Sequence, residues 1–265
     1  MNNISRTLFL PLAFKALDAQ QPHSILNDQV ALDLKIRLSE EFDFEDHTLK
    51  QASYSMAGTI ARAKFFDDLA QQFIQNNPKP VIINMGAGLD SRSLRIWDKK
   101  ALFFDIDLPE VIALRREYIE DKSQLIATDI FQLDYLNTII NSRPDSQFCF
   151  IFEGVLMYFD KDHITTLLKA IINTCQGEII GDFCLGDFWQ KNQKKHDLAK
   201  NIQANFKNGF QNIEEILQLN PRLQLKNMKF YHDKDFAQYF HWRRYLMMCM
   251  PKKMKQGMIL LELKF

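Results

Sequence analysis

The chain has 265 residues, enough for one large α/β domain with insertions or for two small domains. Hydrophobic residues make up 46% and charged residues 25%, a globular balance that excludes a disordered chain. Lys plus Arg and Asp plus Glu number 33 each, so the formal net charge is +0 and the broad positive field of a dedicated nucleic-acid binder is missing.

Cys149, Cys175, Cys184 and Cys249 form no C-x-x-C pair, so no metal site is expected. The apolar run 8–14 resembles a secretory core but is short and ends at Lys15; it reads as the start of a docked helix. No stretch reaches a membrane-spanning length, and the cytoplasm is the expected location.

Residues 1–77 read as helices and turns, closing with a helix over 57–74 that carries Arg62 and Lys64 among apolar residues. From residue 81, short apolar runs alternate with helical patterns. The runs are 81–85, 101–106, 124–127, 148–152 and 178–183; the helical patterns are 91–97, 109–120 and 163–175. Strands apolar on both faces and separated by helices predict a parallel sheet between helix layers. Residues 187–245 read as mostly helical, and a last pair of strands is expected near 225–231 and 257–265. The expected organisation is one domain: a helical lid over 1–77, a ligand-binding core over 78–186, a helical substrate cover over 187–245 and a final strand region over 246–265.

The first strand runs into Gly86-Ala87-Gly88-Leu89-Asp90-Ser91. Glycines there permit a sharp turn and close approach of a ligand to backbone. The next strand ends at Asp105-Ile106-Asp107, and a carboxylate at that tip can accept hydrogen bonds from both hydroxyls of a ribose. G-x-G with a later acid fits NAD and S-adenosylmethionine alike. Two details favour the second. Ser91 stands where a dinucleotide fingerprint has its third glycine. Asp90, at the expected helix N-terminus, would repel a pyrophosphate yet tolerate a ligand with ammonium and sulfonium charges. An ordinary N-cap is the other reading of Asp90.

Asp129 and Ile130 end the third strand, as an adenine contact or as a surface turn. Glu153 ends a very apolar fourth strand and needs a cationic partner: a ligand amine, or Arg62 or Lys15 within the protein. Phe183, Phe188, Trp189, Phe206 and Phe210 fit the core better than an acceptor pocket. The run 191–196 is basic and fits a solvated helix face.

Several blocks together resemble the leucine carboxyl methyltransferase family, in its bacterial polyketide O-methyltransferase branch. They are Arg6-Thr7-Leu8 with Lys15-Ala16-Leu17-Asp18, Ile25-Leu26-Asn27-Asp28, Arg62 with Phe65-Phe66-Asp67, the segment 84–92, the segment 104–110, and Glu153-Gly154-Val155-Leu156-Met157-Tyr158. The likeness is loose after residue 186. It implies a Rossmann-like class I methyltransferase fold: a mostly parallel seven-stranded sheet with the last strand antiparallel and helices on both faces. It also implies S-adenosylmethionine as cofactor. By the resemblance, Lys15 and Arg62 hold the cofactor's carboxylate, and Gly86, with Ala87, Gly88 and Asp90, lies along its amino-acid part. Asp107, beside Leu108, takes the ribose; Asp129 and Ile130 take adenine; Glu153 sits at the methionine end.

The implied reaction is transfer of a methyl group to a carboxyl or hydroxyl oxygen of a small molecule. An ionised carboxylate needs no base, whereas a phenol would use one. Tyr158, Asp182, His196 and His241 are the candidates, with none favoured. The alternatives are a protein or tRNA carboxyl methyltransferase of the same family, an NAD-dependent oxidoreductase, and a binding module without turnover. The oligomeric state stays open.

Overall fold

A computed structural model describes residues 3–39, 52–192, 206–207, 209–243 and 256–265, without the side chains of 3–7 and 241–243. His196 and the side chain of His241 lie outside the described residues.

The described elements, in chain order, are α1 (Asn3–Ala19), α2 (Gln29–Leu38), α3 (Ser53–Asn76), β1 (Pro80–Met85), α4 (Arg92–Arg95), β2 (Leu102–Asp107), α5 (Pro109–Tyr118), β3 (Gln124–Ala127), α6 (Asp134–Asn141), β4 (Gln147–Phe152), α7 (Lys161–Thr174), β5 (Gly177–Cys184), α8 (Phe188–Lys191), α9 (Ile213–Leu217), β6 (Gln224–Lys229) and β7 (Met258–Lys264). Short 3-10 turns cover Leu156–Tyr158 and Phe236–Arg243. One seven-stranded sheet runs in the order β3-β2-β1-β4-β5-β7-β6. Strands β1 to β5 pair in parallel, and β7 lies antiparallel to both β5 and β6. This is the fold expected above, with β7 reversed.

Successive strand residues point to opposite faces, so each strand feeds two cores. On one face Ile83, Phe104, Phe150 and Ile179 pack with Leu136 and Ile139 of α6 and Leu168 and Ile171 of α7. On the other, Ile82, Phe103, Cys149, Ile151 and Ile180 pack against Ala61, Phe66, Ala70 and Phe73 of α3, together with Phe236 and Phe240. A third cluster joins Phe9 and Leu12 of α1 to Leu34 and Leu38 of α2 and to Leu89 after β1. It docks α1 and α2 over the carboxyl end of β1.

Two expectations are corrected. The helix predicted over 91–97 is only Arg92–Arg95, because the chain turns at Asp98, whose carbonyl accepts from Ala101 N, to enter β2. The span 187–245 is not mostly helical in its described parts: it holds β6 and only short helices. Strand β6 is a half-exposed edge with Lys and Asn between its apolar residues, which blurs its alternation.

Candidate functional site

Strands β1, β2, β4 and β5 deliver their carboxyl ends to one edge of the sheet, where the glycine turn lies. Gly86 and Gly88 have φ of 72° and 55°, a left-handed conformation that side chains resist. The N–H groups of Gly86 and Ala87 both donate to Ile106 O, at 2.8 and 3.0 Å, tying the turn to β2. A Cβ on Gly86 would lie 2.7 Å from Val155 Cγ2, and one on Gly88 would lie 3.1 Å from Leu8 Cδ1. The bare Cα of Gly86 therefore makes room for Val155, and α1 covers Gly88; the sharp turn expected of these glycines is present in both.

Asp107 ends β2 half-buried. Its Oδ2 accepts from Gly88 N and its Oδ1 from Leu108 N, both at 2.7 Å. A carboxylate has about four lone-pair sites, so two stay available. Burial pushes its carboxyl up from the usual range, against the pull of the two backbone N–H groups.

A buried ionic network fills the space beside this turn. Lys15 Nζ lies 2.6 Å from Asp90 Oδ1 and 3.9 Å from Glu153 Oε1. Arg92 bonds Asp67 at 2.7 Å, Asp90 at 3.0 Å and Glu153 Oε2. Arg95 bonds Asp28 at 2.8 Å, Asp67 at 2.8 Å and Asp90 at 2.7 Å. Arg62 lies 3.5 Å from Glu153 and 2.8 Å from Asp182. Among the described residues, the four cations Lys15, Arg62, Arg92 and Arg95 are thus linked to the five carboxylates Asp28, Asp67, Asp90, Glu153 and Asp182. One carboxylate is in excess. Burial pushes the Glu153 carboxyl up, but Lys15, Arg92 and Arg62 outweigh it and hold it at about 2. Asp90 is likewise held well below its usual range against burial, by Arg95, Lys15 and Arg92.

The N-cap of α4 is Ser91, whose side chain makes no cap bond, so Asp90 is a pairing residue and not a helix cap. The partners foreseen for Glu153 within the protein, Arg62 and Lys15, lie beside it, and Arg92 joins them. Arg62 Nε is buried with no hydrogen-bond partner.

Asp129 is exposed and its Oδ1 accepts from Phe131 N at 3.0 Å, closing a local turn, while Ile130 is buried. Gly154, with φ of 70°, follows Glu153; a Cβ there would lie 2.9 Å from Arg62 Nη2. Its N–H donates to Asp182 Oδ1 at 2.7 Å, and Arg62 Nη1 donates to Asp182 Oδ2 at 2.8 Å. Burial raises the Asp182 carboxyl, with Arg62 opposing. Tyr158 stacks on Phe206 at 5.7 Å between ring centres, and burial pushes its phenol up to about 12. Of the aromatic candidates, Phe183 and Phe210 belong to the sheet core; Phe188, Trp189 and Phe206 cluster with Met157, Tyr158 and Cys184. Near them a cavity of about 530 Å³ is lined by Leu185, Asp187, Phe188, Lys191, Asn192, Gln256 and Gly257. Among the described residues, no three His, Cys, Asp or Glu side chains are grouped to hold a metal, and no helix is long and apolar enough to cross a membrane.

Sequence reasoning missed Arg92, Arg95 and Arg115, and the part Asp28 and Asp67 play as their partners. The available signal was Arg92 and Arg95 three residues apart on one helix face, next to an apolar strand, with Asp90 and Asp98 the acids nearby in sequence.

The residues fit S-adenosylmethionine. They offer an excess carboxylate to a net cation, an unpaired buried Nε to a carboxylate, and open lone pairs on Asp107 to a ribose.

Comparison with known proteins extends this. A sequence model of the leucine carboxyl methyltransferase family matches residues 9–172. The S-adenosyl-L-methionine-dependent methyltransferase dpfgK of Gibberella zeae is 31% identical over 185 residues, covering 65% of this chain and 62% of its own. The tetracenomycin polyketide synthesis O-methyltransferase TcmP of Streptomyces glaucescens is 29% identical over 175 residues, with 65% and 62% covered. The matched region thus spans less than two thirds of either relative. Among solved structures, magnesium protoporphyrin IX methyltransferase of Synechocystis, with bound SAH, has a TM-score of 0.48 at 10% identity, covering 78% of this chain and 84% of that one. With its model matched from α1 through most of α7, the chain belongs to the leucine carboxyl methyltransferase family.

Proposed function

We propose that this chain is an S-adenosylmethionine-dependent O-methyltransferase acting on a carboxyl or hydroxyl oxygen of a small molecule. The observation that carries the reading is the buried network with one carboxylate in excess, set against the glycine turn and Asp107. A ligand with one net positive charge balances it; a pyrophosphate brought beside Asp90 and Glu153 does not. Family membership and the two methyltransferase relatives support the same cofactor.

In this reading Asp107 holds the ribose hydroxyls, and Asp129 and Ile130 border the adenine. Lys15 and the free Arg62 Nε face the carboxylate, and Glu153 with the Gly86 carbonyl receives the ammonium. Bound there, the cofactor supplies a methyl group on a positively charged sulfur, a leaving group already activated. The chain's part is alignment and exclusion of water. At neutral pH the Tyr158 phenol keeps its proton, and Asp182 is engaged by Arg62 and Gly154. This arrangement suits an acceptor that arrives ionised, above all a carboxylate. A polyketide-like acceptor has the support of one relative, TcmP. Helices α1 to α3 serve as the lid, and 187–245 as the acceptor cover. The unpaired thiols of Cys149, Cys175 and Cys184 suit a reducing cytoplasm.

Mass spectrometry of ligand carried through purification, followed by calorimetry, tests the cofactor. S-adenosylhomocysteine should bind and NADH should not; the reverse overturns the reading. Protein and tRNA acceptors are tested by methyl transfer from labelled cofactor to those substrates.

A further inference from the structure

Arg115 projects from α5 towards the glycine turn and is fully buried. All five of its N–H donors are used. Its Nη1 donates to Gly88 O at 2.8 Å and to Asp90 O at 2.9 Å. Its Nη2 donates to Asp105 Oδ2 at 2.7 Å and to Asp121 Oδ1 at 2.6 Å, and its Nε donates to Asp121 Oδ2 at 3.2 Å. Asp105 is itself fixed by Asn84 Nδ2 at 2.6 Å and Ser123 Oγ at 2.5 Å.

Two aspartates already satisfy the charge of a buried arginine. The donors sent to the turn do something more. Gly88 N is held by Asp107 at 2.7 Å, and Gly88 O is held by Arg115, so this left-handed residue is gripped at both ends. Resting on the cofactor reading above, we propose that Arg115 is a positioning residue for cofactor binding: it fixes the Gly88 turn against which Asp107 is aimed. It touches no ligand itself. A planar fork is required, since a lysine has three donors from one point and cannot span both carbonyls and both aspartates.

The test is Arg115→Lys, which keeps the charge beside Asp105 and Asp121 and releases the carbonyls. Calorimetry with S-adenosylhomocysteine should show affinity about tenfold weaker, as for loss of about one net charged hydrogen bond. The steady-state loss should fall on KM for the methyl donor rather than on kcat. Combined with Asp107→Asn, the two effects on affinity should be non-additive, because both act through Gly88. Arg222→Lys removes a similar carbonyl-capping guanidinium at the end of α7, from Ile172 O and Cys175 O, and should leave affinity unchanged. If Arg115→Lys does not fold, Asp121→Asn loosens the same guanidinium from its outer side, and roughly threefold weaker binding is expected on the same scale. Unchanged affinity in a folded variant, or strict additivity with Asp107→Asn, overturns the inference alone. Failure of the unaltered protein to bind S-adenosylhomocysteine overturns the cofactor reading, and this inference with it.

Discussion

Lys15 in α1 and Asp90 after β1 form a 2.6 Å ion pair that is almost wholly buried. It fastens the first helix to the glycine turn, and it places an ammonium within 3.9 Å of Glu153. Two residues 75 apart in sequence thereby meet at the glycine turn. Asp90 is also paired with Arg95 at 2.7 Å and Arg92 at 3.0 Å, so its charge is shared among three buried cations.

Replacing Asp107 by Ala should weaken cofactor binding about tenfold or more, as charge-assisted hydrogen bonds to the ribose are lost. Calorimetry with S-adenosylhomocysteine measures it. A folded variant with unchanged affinity would reject the ribose role.

Glu153→Gln should impair cofactor binding while the chain stays folded. Among the described residues the network has one carboxylate in excess, so removing one leaves four against four, and the amide oxygen still accepts from Arg92. Arg92→Met leaves three cations against five carboxylates and should collapse thermal stability. The sign of the pH effect follows from Glu153, held at about 2 when folded against an ordinary value of 4.5. A depressed carboxyl contributes stability above its unfolded value, and that contribution is lost as pH falls from about 4.5 towards about 2. Melting curves across that window should therefore fall less steeply for Glu153→Gln than for the unaltered protein. Parallel curves would remove Glu153 from the acid-sensitive set.

Gly86→Ala should destabilise the chain by roughly 1–3 kcal/mol, the usual cost of a strained backbone conformation. The φ of 72° and the 2.7 Å approach to Val155 Cγ2 both oppose a side chain. Adding Val155→Ala should recover the part due to the clash and not the part due to φ. Denaturant titration of the single and double variants separates the two; full recovery would show that φ contributes nothing.

Tyr158→Phe should raise KM for the acceptor several-fold and leave the shape of the pH–rate profile unchanged between pH 6 and 9, a span set by the ordinary working range of such profiles. Burial holds this phenol up at about 12, so it does not titrate there. Loss of a limb from the kcat/KM profile in the variant would instead make Tyr158 the base.

The sheet was legible because its evidence is local. Apolar runs such as 81–85 and 148–152 bury both faces, and periodicity alone reports that. The glycine turn and Asp107 were legible for the same reason, since G-x-G after a strand and an acid at the next tip are short-range patterns. What only the tertiary structure decided is who answers whom. Nothing in sequence spacing says that Arg92 reaches across to Glu153 and Asp67, that Arg115 holds Gly88 from behind, or that Val155 fills the space over Gly86. A buried charge announces that it needs a partner, but the partner is chosen by which helices dock on which strand ends. That choice is made by side-chain packing at distances the chain's local pattern does not encode.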